Sequence, residues 1–202
     1  SVGKPLENTE LKIANDGEIL LKGPQVFLGY YKDEAATKET LIDGWLYSGD
    51  IGQIDKEGFL HITDRKKDIL ITAGGKNISP SAIENMLTTI PFVQSAVVIG
   101  DKQKFLSALF TPDFNSLKEK QEEFGFTMDN NSWQNNQKVL DEINKSLQNI
   151  NAKLSCVEQI KKFSLLNHEF SIDSGEFTPT LKLKRKFITK KCSFHSFYFF
   201  HD

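Results

Sequence analysis

The sequence predicts an α+β chain, β-rich at its start and mixed α and β from about Asp64 onward. Three observations predict it. Two hairpin signals fall within the first sixty residues, apolar residues recur at helical spacing in two later stretches, and strand-like apolar runs lie between and after those stretches.

Leu11 to Ala14 and Glu18 to Lys22 flank Asn15-Asp16-Gly17, a hairpin signal because Asp-Gly accepts positive φ. Ile51 to Ile54 and Phe59 to Ile62 flank Asp55-Lys56-Glu57-Gly58 in the same way, and Asp33 to Leu41 reads as a short helix. Asp68 to Thr72 reads as a strand, followed by a Gly74-Gly75 turn. Ser79 is then placed to cap a helix with Pro80 at its first position and Ile83, Met86, Leu87 and Ile90 on one face. Val93 to Ile99 and Phe105 to Thr111 read as strands, the second stopped by Pro112. A long helix is expected from Ser132 to Leu154, with Leu140, Ile143, Leu147, Ile150 and Leu154 as its core stripe, and Ile160 to Leu166 as a further strand. The tail from Lys190 carries five aromatic residues with no period that would bury them together.

Of 202 residues, 39% are hydrophobic and 26% charged, a core-forming balance. With 25 basic and 27 acidic residues the net charge is -2, which gives no electrostatic reason to expect nucleic acid or an anionic membrane as partner. Cys156 and Cys192 are isolated, with no metal-ligand spacing, and fit a reducing compartment. The four histidines stand alone in sequence and read as ordinary surface or core residues. No apolar run approaches the ~18 residues of a membrane helix, and no secretory leader is expected. The chain opens at Ser1 within a strand-like pattern, which reads as part of a longer protein.

Taken singly, the polar motifs have bland readings. Asp50 of Tyr47-Ser48-Gly49-Asp50 could end a strand or cap a turn. Asp64-Arg65-Lys66-Lys67-Asp68 could be a solvated charge run. Thr72-Ala73-Gly74-Gly75-Lys76 could cradle a phosphate but lacks the spacing of a P-loop. Thr178 to Arg185 alternates leucine and lysine, as an edge strand with one wet face does.

In order and together they say more. Gly17-Glu18-Ile19 with Gly29-Tyr30-Tyr31, then Asp43 to Asp50, Asp64 to Asp68, and Pro179-Thr180-Leu181-Lys182 resemble the adenylate-forming enzyme superfamily over nearly all of residues 1–188. Within it, Arg65 to Asp68 followed by Ile71 to Ile78 is similar to the long-chain and bubblegum-type fatty acyl-CoA synthetases. So is the ending Thr178 to Arg185, in place of the commoner PKTxSGK pattern.

The resemblance implies a two-step ligase that uses ATP, magnesium and coenzyme A to activate a fatty acid through an acyl-adenylate. It places Asp50 on the ribose hydroxyls of ATP, Arg65 on the ribose or nearby phosphate, and Tyr47 in packing. Lys67 becomes the hinge, and Gly74 and Gly75 line the coenzyme A tunnel. Lys182 becomes the catalytic lysine between the attacking carboxylate and the α-phosphate. Lys182, Lys184 and Lys186 are expected on one strand face, with Lys182 preferred because it keeps the family's three-residue step to Arg185. No residue here is expected to hold metal: the magnesium ligands, the phosphate loop and the fatty-acid tunnel all belong upstream of Ser1. The expected division is 1–63, the end of the large adenylation domain; 64–188, a mobile C-terminal domain; and 189–202, an atypical tail. The expected partners are the three substrates and the remainder of the same enzyme, in the cytoplasm, with peripheral contact to the cytosolic face of a membrane. Two other readings stay open: another acyl-CoA or acyl-adenylate ligase of the superfamily, and a catalytically incomplete interaction module.

Overall fold

A computed structural model describes residues 1–128 and 131–192, in two compact units that divide between Ile69 and Leu70. The first unit is an antiparallel sheet of five strands. Its elements are β1 (Glu10–Ile13), β2 (Glu18–Lys22), α1 (Glu34–Thr40), β3 (Leu41–Ile42), β4 (Trp45–Ile54) and β5 (Leu60–Arg65). The spatial order is β1-β2-β4-β3, and β5 pairs with the second half of β4. Both expected hairpins form. The β4–β5 turn is closed by Asp55, whose Oδ1 accepts from Glu57 N at 3.0 Å and Phe59 N at 2.9 Å. Asp33 caps α1 by accepting from Ala36 N at 2.9 Å.

The second unit begins with a small hairpin, β6 (Leu70–Ile71) and β7 (Asn77–Ile78), followed by α2 (Pro80–Leu87). Then come β8 (Val93–Ile99), β9 (Leu106–Pro112), α3 (Phe114–Phe124), α4 (Gln137–Asn151), β10 (Ile160–Leu165) and α5 (Arg185–Lys191). Its three-stranded sheet has the order β10-β9-β8, with β9 antiparallel to β8 and parallel to β10. All seven residues of β9 are buried, because this central strand is covered on both faces. On one face Ala96, Val98, Ala108 and Phe110 pack with Ile83 and Leu87 of α2 and Val139, Ile143, Leu147 and Ile150 of α4. On the other face Val97, Ile99 and Leu109 pack with Leu166, Phe170, Ile188 and Cys192. The period-2 alternation of strands thus sorts neighbouring residues into two cores.

Five expectations are corrected. The unit division falls six residues after the expected cut at 63, because the charged run is the paired end of β5 and then one 3₁₀ turn, Lys66–Asp68. That turn also leaves only Leu70 and Ile71 as strand in the stretch 68–72. The long helix is broken. Trp133 enters the core from a 3₁₀ turn at Ser132–Asn135, and Asn136 then caps α4 by accepting from Lys138 N at 3.1 Å and Val139 N at 3.3 Å. Residues 178–185 are not an edge strand, since Leu181 sits at φ 56° and reverses the chain. Finally, the fold continues past Ile188: α5 runs to Lys191, and Cys192 is buried. The aromatic tail beyond it, with His195 and His201, lies outside the described residues. Helix α3 went unforeseen. Its start is Asp113, which accepts from Asn115 N and Ser116 N, and its end is Gly125 at φ 73°. Among the described residues no helix is long and apolar enough to cross a membrane.

Candidate functional site

In the first unit the local geometry of β4 sets the position of Asp50. The register between β2 and β4 shifts between the Glu18–Ile51 and Leu20–Tyr47 pairs. In this irregularity Gly49 adopts φ 73°, a conformation glycine enters without the Cβ penalty. Its N–H donates to Glu18 Oε1 at 2.9 Å, and Ser48 Oγ donates to Ile19 O at 2.7 Å. Asp50 follows, directly opposite Arg65 in the β4–β5 ladder, and Arg65 Nε meets Asp50 Oδ1 at 2.9 Å. The Asp50 side chain is 23% exposed, so its carboxylate stays accessible from solvent beside Arg65. Tyr47 is half-buried in the same strand, opposite Leu20.

A second charged group supports this one. The Glu18 side chain is buried and accepts from Lys66 Nζ at 2.7 Å, while Lys66 also reaches Asp16 at 2.7 Å. The hydrogen bonds to Asp16 and Glu18 hold the Lys66 ammonium above its ordinary pKa, and the bond from Lys66 holds the Asp16 carboxyl below its own. No role was assigned to Glu18 or Lys66 from sequence. The available signal was an acidic residue directly after an Asp-Gly turn, where a strand facing core would not ordinarily carry charge.

Lys67 is exposed in the 3₁₀ turn, one residue after anchored Lys66 and three before the second unit begins. Gly74 and Gly75 lie in the β6–β7 loop. Gly75 is at φ 73° and its N–H donates to Thr72 O at 2.9 Å, so the turn itself requires glycine. Gly74 has ordinary φ, and a Cβ there would come no nearer than 3.9 Å to Thr72 Oγ1. Nothing within the loop demands its small size.

Lys182 is exposed on a tight reversal. Thr178 N donates to Lys182 O at 2.8 Å, and Lys182 N donates back to Thr178 Oγ1 at 3.0 Å. Phe177 and Leu183 form a bridge below them. Leu181, 69% exposed, occupies the left-handed region, which costs a non-glycine residue about 1–3 kcal/mol. In the commoner PKTxSGK pattern a glycine stands just before the lysine. Lys182, Lys184 and Lys186 do not share a strand face: Lys184 N is tied to Glu176 O at 2.7 Å, and Lys186 lies in α5.

Two buried carboxylates flank this loop. Glu84 of α2 receives both terminal nitrogens of Arg185, Nη2 at 2.9 Å from Oε2, and accepts from Val98 N at 2.7 Å. Glu176 is bound by Lys191 Nζ at 2.6 Å, by Ser174 Oγ and by Ser171 N at 3.3 Å, with His168 Nε2 3.8 Å away. Burial alone would push the Glu176 carboxyl up, but the bonds from Lys191, Ser174 and Ser171 prevail and lower it to about 2. His61 serves a turn, 2.9 Å from Asp55 Oδ2. Among the described residues no group of three or more His, Cys, Asp or Glu side chains is arranged to hold a metal.

With this geometry in hand, the comparisons with known proteins agree in one direction. The AMP-binding enzyme C-terminal domain family matches residues 67–193, and the chain belongs to that family. Over 195 residues it is 41% identical to the long-chain-fatty-acid–CoA ligase FadD15 of Mycobacterium tuberculosis, covering 95% of this chain and 32% of that protein. Over 216 residues it is 36% identical to the long-chain-fatty-acid–CoA ligase ACSBG1 of Mus musculus, covering 95% of this chain and 30% of that one. The chain spans about a third of the length of the curated relatives it matches. The adenylation domain of a carboxylate reductase from Mycobacterium chelonae has the same fold, with a TM-score of 0.77 at 21% identity over 98% of this chain and 32% of that one.

Proposed function

We propose that this chain is the C-terminal part of an ATP-dependent ligase that joins long-chain fatty acids to coenzyme A. The observation that carries the reading is the 36–41% identity to named long-chain-fatty-acid–CoA ligases over 95% of the chain. In the first step the fatty-acid carboxylate attacks the α-phosphate of ATP and pyrophosphate leaves. In the second, the thiol of coenzyme A attacks the acyl-adenylate and AMP leaves. Asp50 accepts hydrogen bonds from both ribose hydroxyls, which a carboxylate can do with its two oxygens. Arg65, permanently charged and planar, donates beside it to the ribose or phosphate. Lys182 brings an ammonium to the charge that develops between the carboxylate and the α-phosphate. Lys67 serves as the hinge on which the second unit turns between the steps, and the Gly74-Gly75 loop then lines the path of the pantetheine arm. Magnesium would be held by residues outside this chain. The ligase would work in the cytoplasm, touching the cytosolic face of a membrane at most peripherally.

The test is thioester formation by the longer protein that carries this segment, across a series of carboxylic acids. Pyrophosphate release and acyl-CoA formation that peak with long-chain fatty acids are expected. A peak with aryl or short-chain acids, or no acid-dependent pyrophosphate release, would overturn the reading.

A further inference from the structure

Adding charge near an α-phosphate is useful only if the charge is held in place. Positioning errors of about 1 Å cost on the order of a hundredfold in rate. Lys182 is exposed and stands on a reversal whose tip residue, Leu181, is backbone-strained, so by itself this segment would not stay in one conformation. The structure supplies the missing constraint from two directions.

The first is Thr178. Its backbone N–H and its hydroxyl bind the carbonyl and the N–H of Lys182, so one residue ties both peptide groups that flank the lysine's Cα. The hydroxyl also meets Thr180 Oγ1 at 3.0 Å, which orients it, and Leu181 N donates to Thr178 O at 2.9 Å. The second is the pair of Arg185 and Glu84, 101 positions apart. Arg185 is the first residue of α5 and ends the loop. Its Nη1 reaches both Glu84 and Val98 O, the latter at 3.1 Å, so the loop's end is tied at once to α2 and to β8. Both side chains are at least 87% buried, where charge-assisted bonds are strong and sharply directional. The two ends of the loop are closed on each other where the Glu176 carbonyl receives Lys184 N.

We propose that Thr178, Glu84 and Arg185 are positioning residues for Lys182: they hold its backbone so that its ammonium is delivered to the α-phosphate in the adenylation step and do not themselves touch substrate. This rests on the reading of Lys182 given above. It predicts a signature that general fold support would not produce, a loss confined to one half-reaction.

The experiment uses the intact ligase that carries this segment. Pyrophosphate release and thioester formation from supplied acyl-adenylate are measured separately, with Lys182→Ala as reference. Thr178→Val keeps shape and removes the hydroxyl. It is expected to lower kcat for adenylation by about tenfold to a hundredfold, with a small change in KM for ATP and transfer from acyl-adenylate spared. Thr178→Ser returns the hydroxyl and should restore most of the rate. Arg185→Lys, which cannot span both Glu84 oxygens and Val98 O, should show the same one-sided loss. Thr178→Val adenylation within twofold of the parent overturns the proposal, as does an equal fall in both half-reactions with a lowered melting temperature. Should Arg185→Lys fail to fold, the Thr178 series decides alone. If Lys182→Ala itself leaves adenylation intact, the reading of the site fails, an outcome distinct from Lys182→Ala being dead while Thr178→Val is normal.

Discussion

The two units hold the residues proposed for the site by different means. In the first, Ile19 and Leu20 are the buried hydrophobic side chains, while Phe27, Leu28, Tyr30, Tyr31, Ile42, Ile54 and Ile62 stand exposed. Asp50 and Arg65 are nevertheless well fixed, because a β-ladder places them opposite each other. The second unit has two cores, one on each face of its sheet, yet Lys182, the lysine proposed for catalysis, lies on an exposed loop held by polar contacts and buried ion pairs. The contrast teaches that core size and site precision are separate properties. A ladder can fix a residue with little core beneath it, and a large core does not fix a loop unless specific bonds reach it. The two buried aliphatic side chains of the first unit contribute only about 3–6 kcal/mol.

The comparison can be broken in several ways. The largest expected effect is chemical: on the function proposed above, Lys182→Ala in the longer protein that carries this segment should lower adenylation by on the order of 10²–10³ or more while sparing transfer from supplied acyl-adenylate. Equal loss in both steps, or the same effect from Lys184→Ala alone, would move the chemistry off Lys182. Next comes stability. Glu84→Ala leaves Arg185 buried without its carboxylate, which costs about 3–5 kcal/mol. Chemical denaturation of this chain should show that loss in the second unit only, and hydrogen exchange should find the first unit less protected than the second before any mutation. Equal protection in both units of the unmutated chain would end the contrast in core size.

A smaller effect concerns acid. The fold lowers the Glu176 carboxyl from 4.5 to about 2, so the folded state favours its charged form. Its contribution is therefore complete above about pH 4.5 and declines as pH falls from there toward 2. Glu176→Gln should flatten the acid limb of a melting-temperature profile of the second unit over that interval. An unchanged limb would show that other carboxylates govern acid unfolding. The smallest effect is at the loop tip. Leu181→Gly relieves the left-handed backbone but loosens the unfolded chain, so the net gain in stability should be no more than about 1 kcal/mol. A loss of more than that by thermal melting would mean that the exposed leucine side chain makes a contact of its own.

Both early hairpins, α2, the β8 and β9 strands and most of the apolar stripe of α4 were legible in the residues because each depends on neighbours within a few positions; Leu140, expected in that stripe, is only half-buried and Val139 is buried in its place. Asp16-Gly17 and Asp55 close turns locally, and Ile143, Leu147 and Ile150 recur at helical spacing. The roles proposed for Asp50, Arg65 and Lys182 rest on the order of their motifs along the chain. What only tertiary structure decided rests on partners distant in sequence. Glu18 with Lys66 spans 48 positions and Glu84 with Arg185 spans 101, and nothing near any of the four announces the other. The alternation of leucine and lysine after Thr178 is compatible with a strand. The chain instead turns at Leu181 and enters α5, because Arg185 finds a buried carboxylate and Ile188 finds a core. Local spacing specifies which backbone conformations are cheap; burial and long-range ion pairing decide which of them the chain adopts.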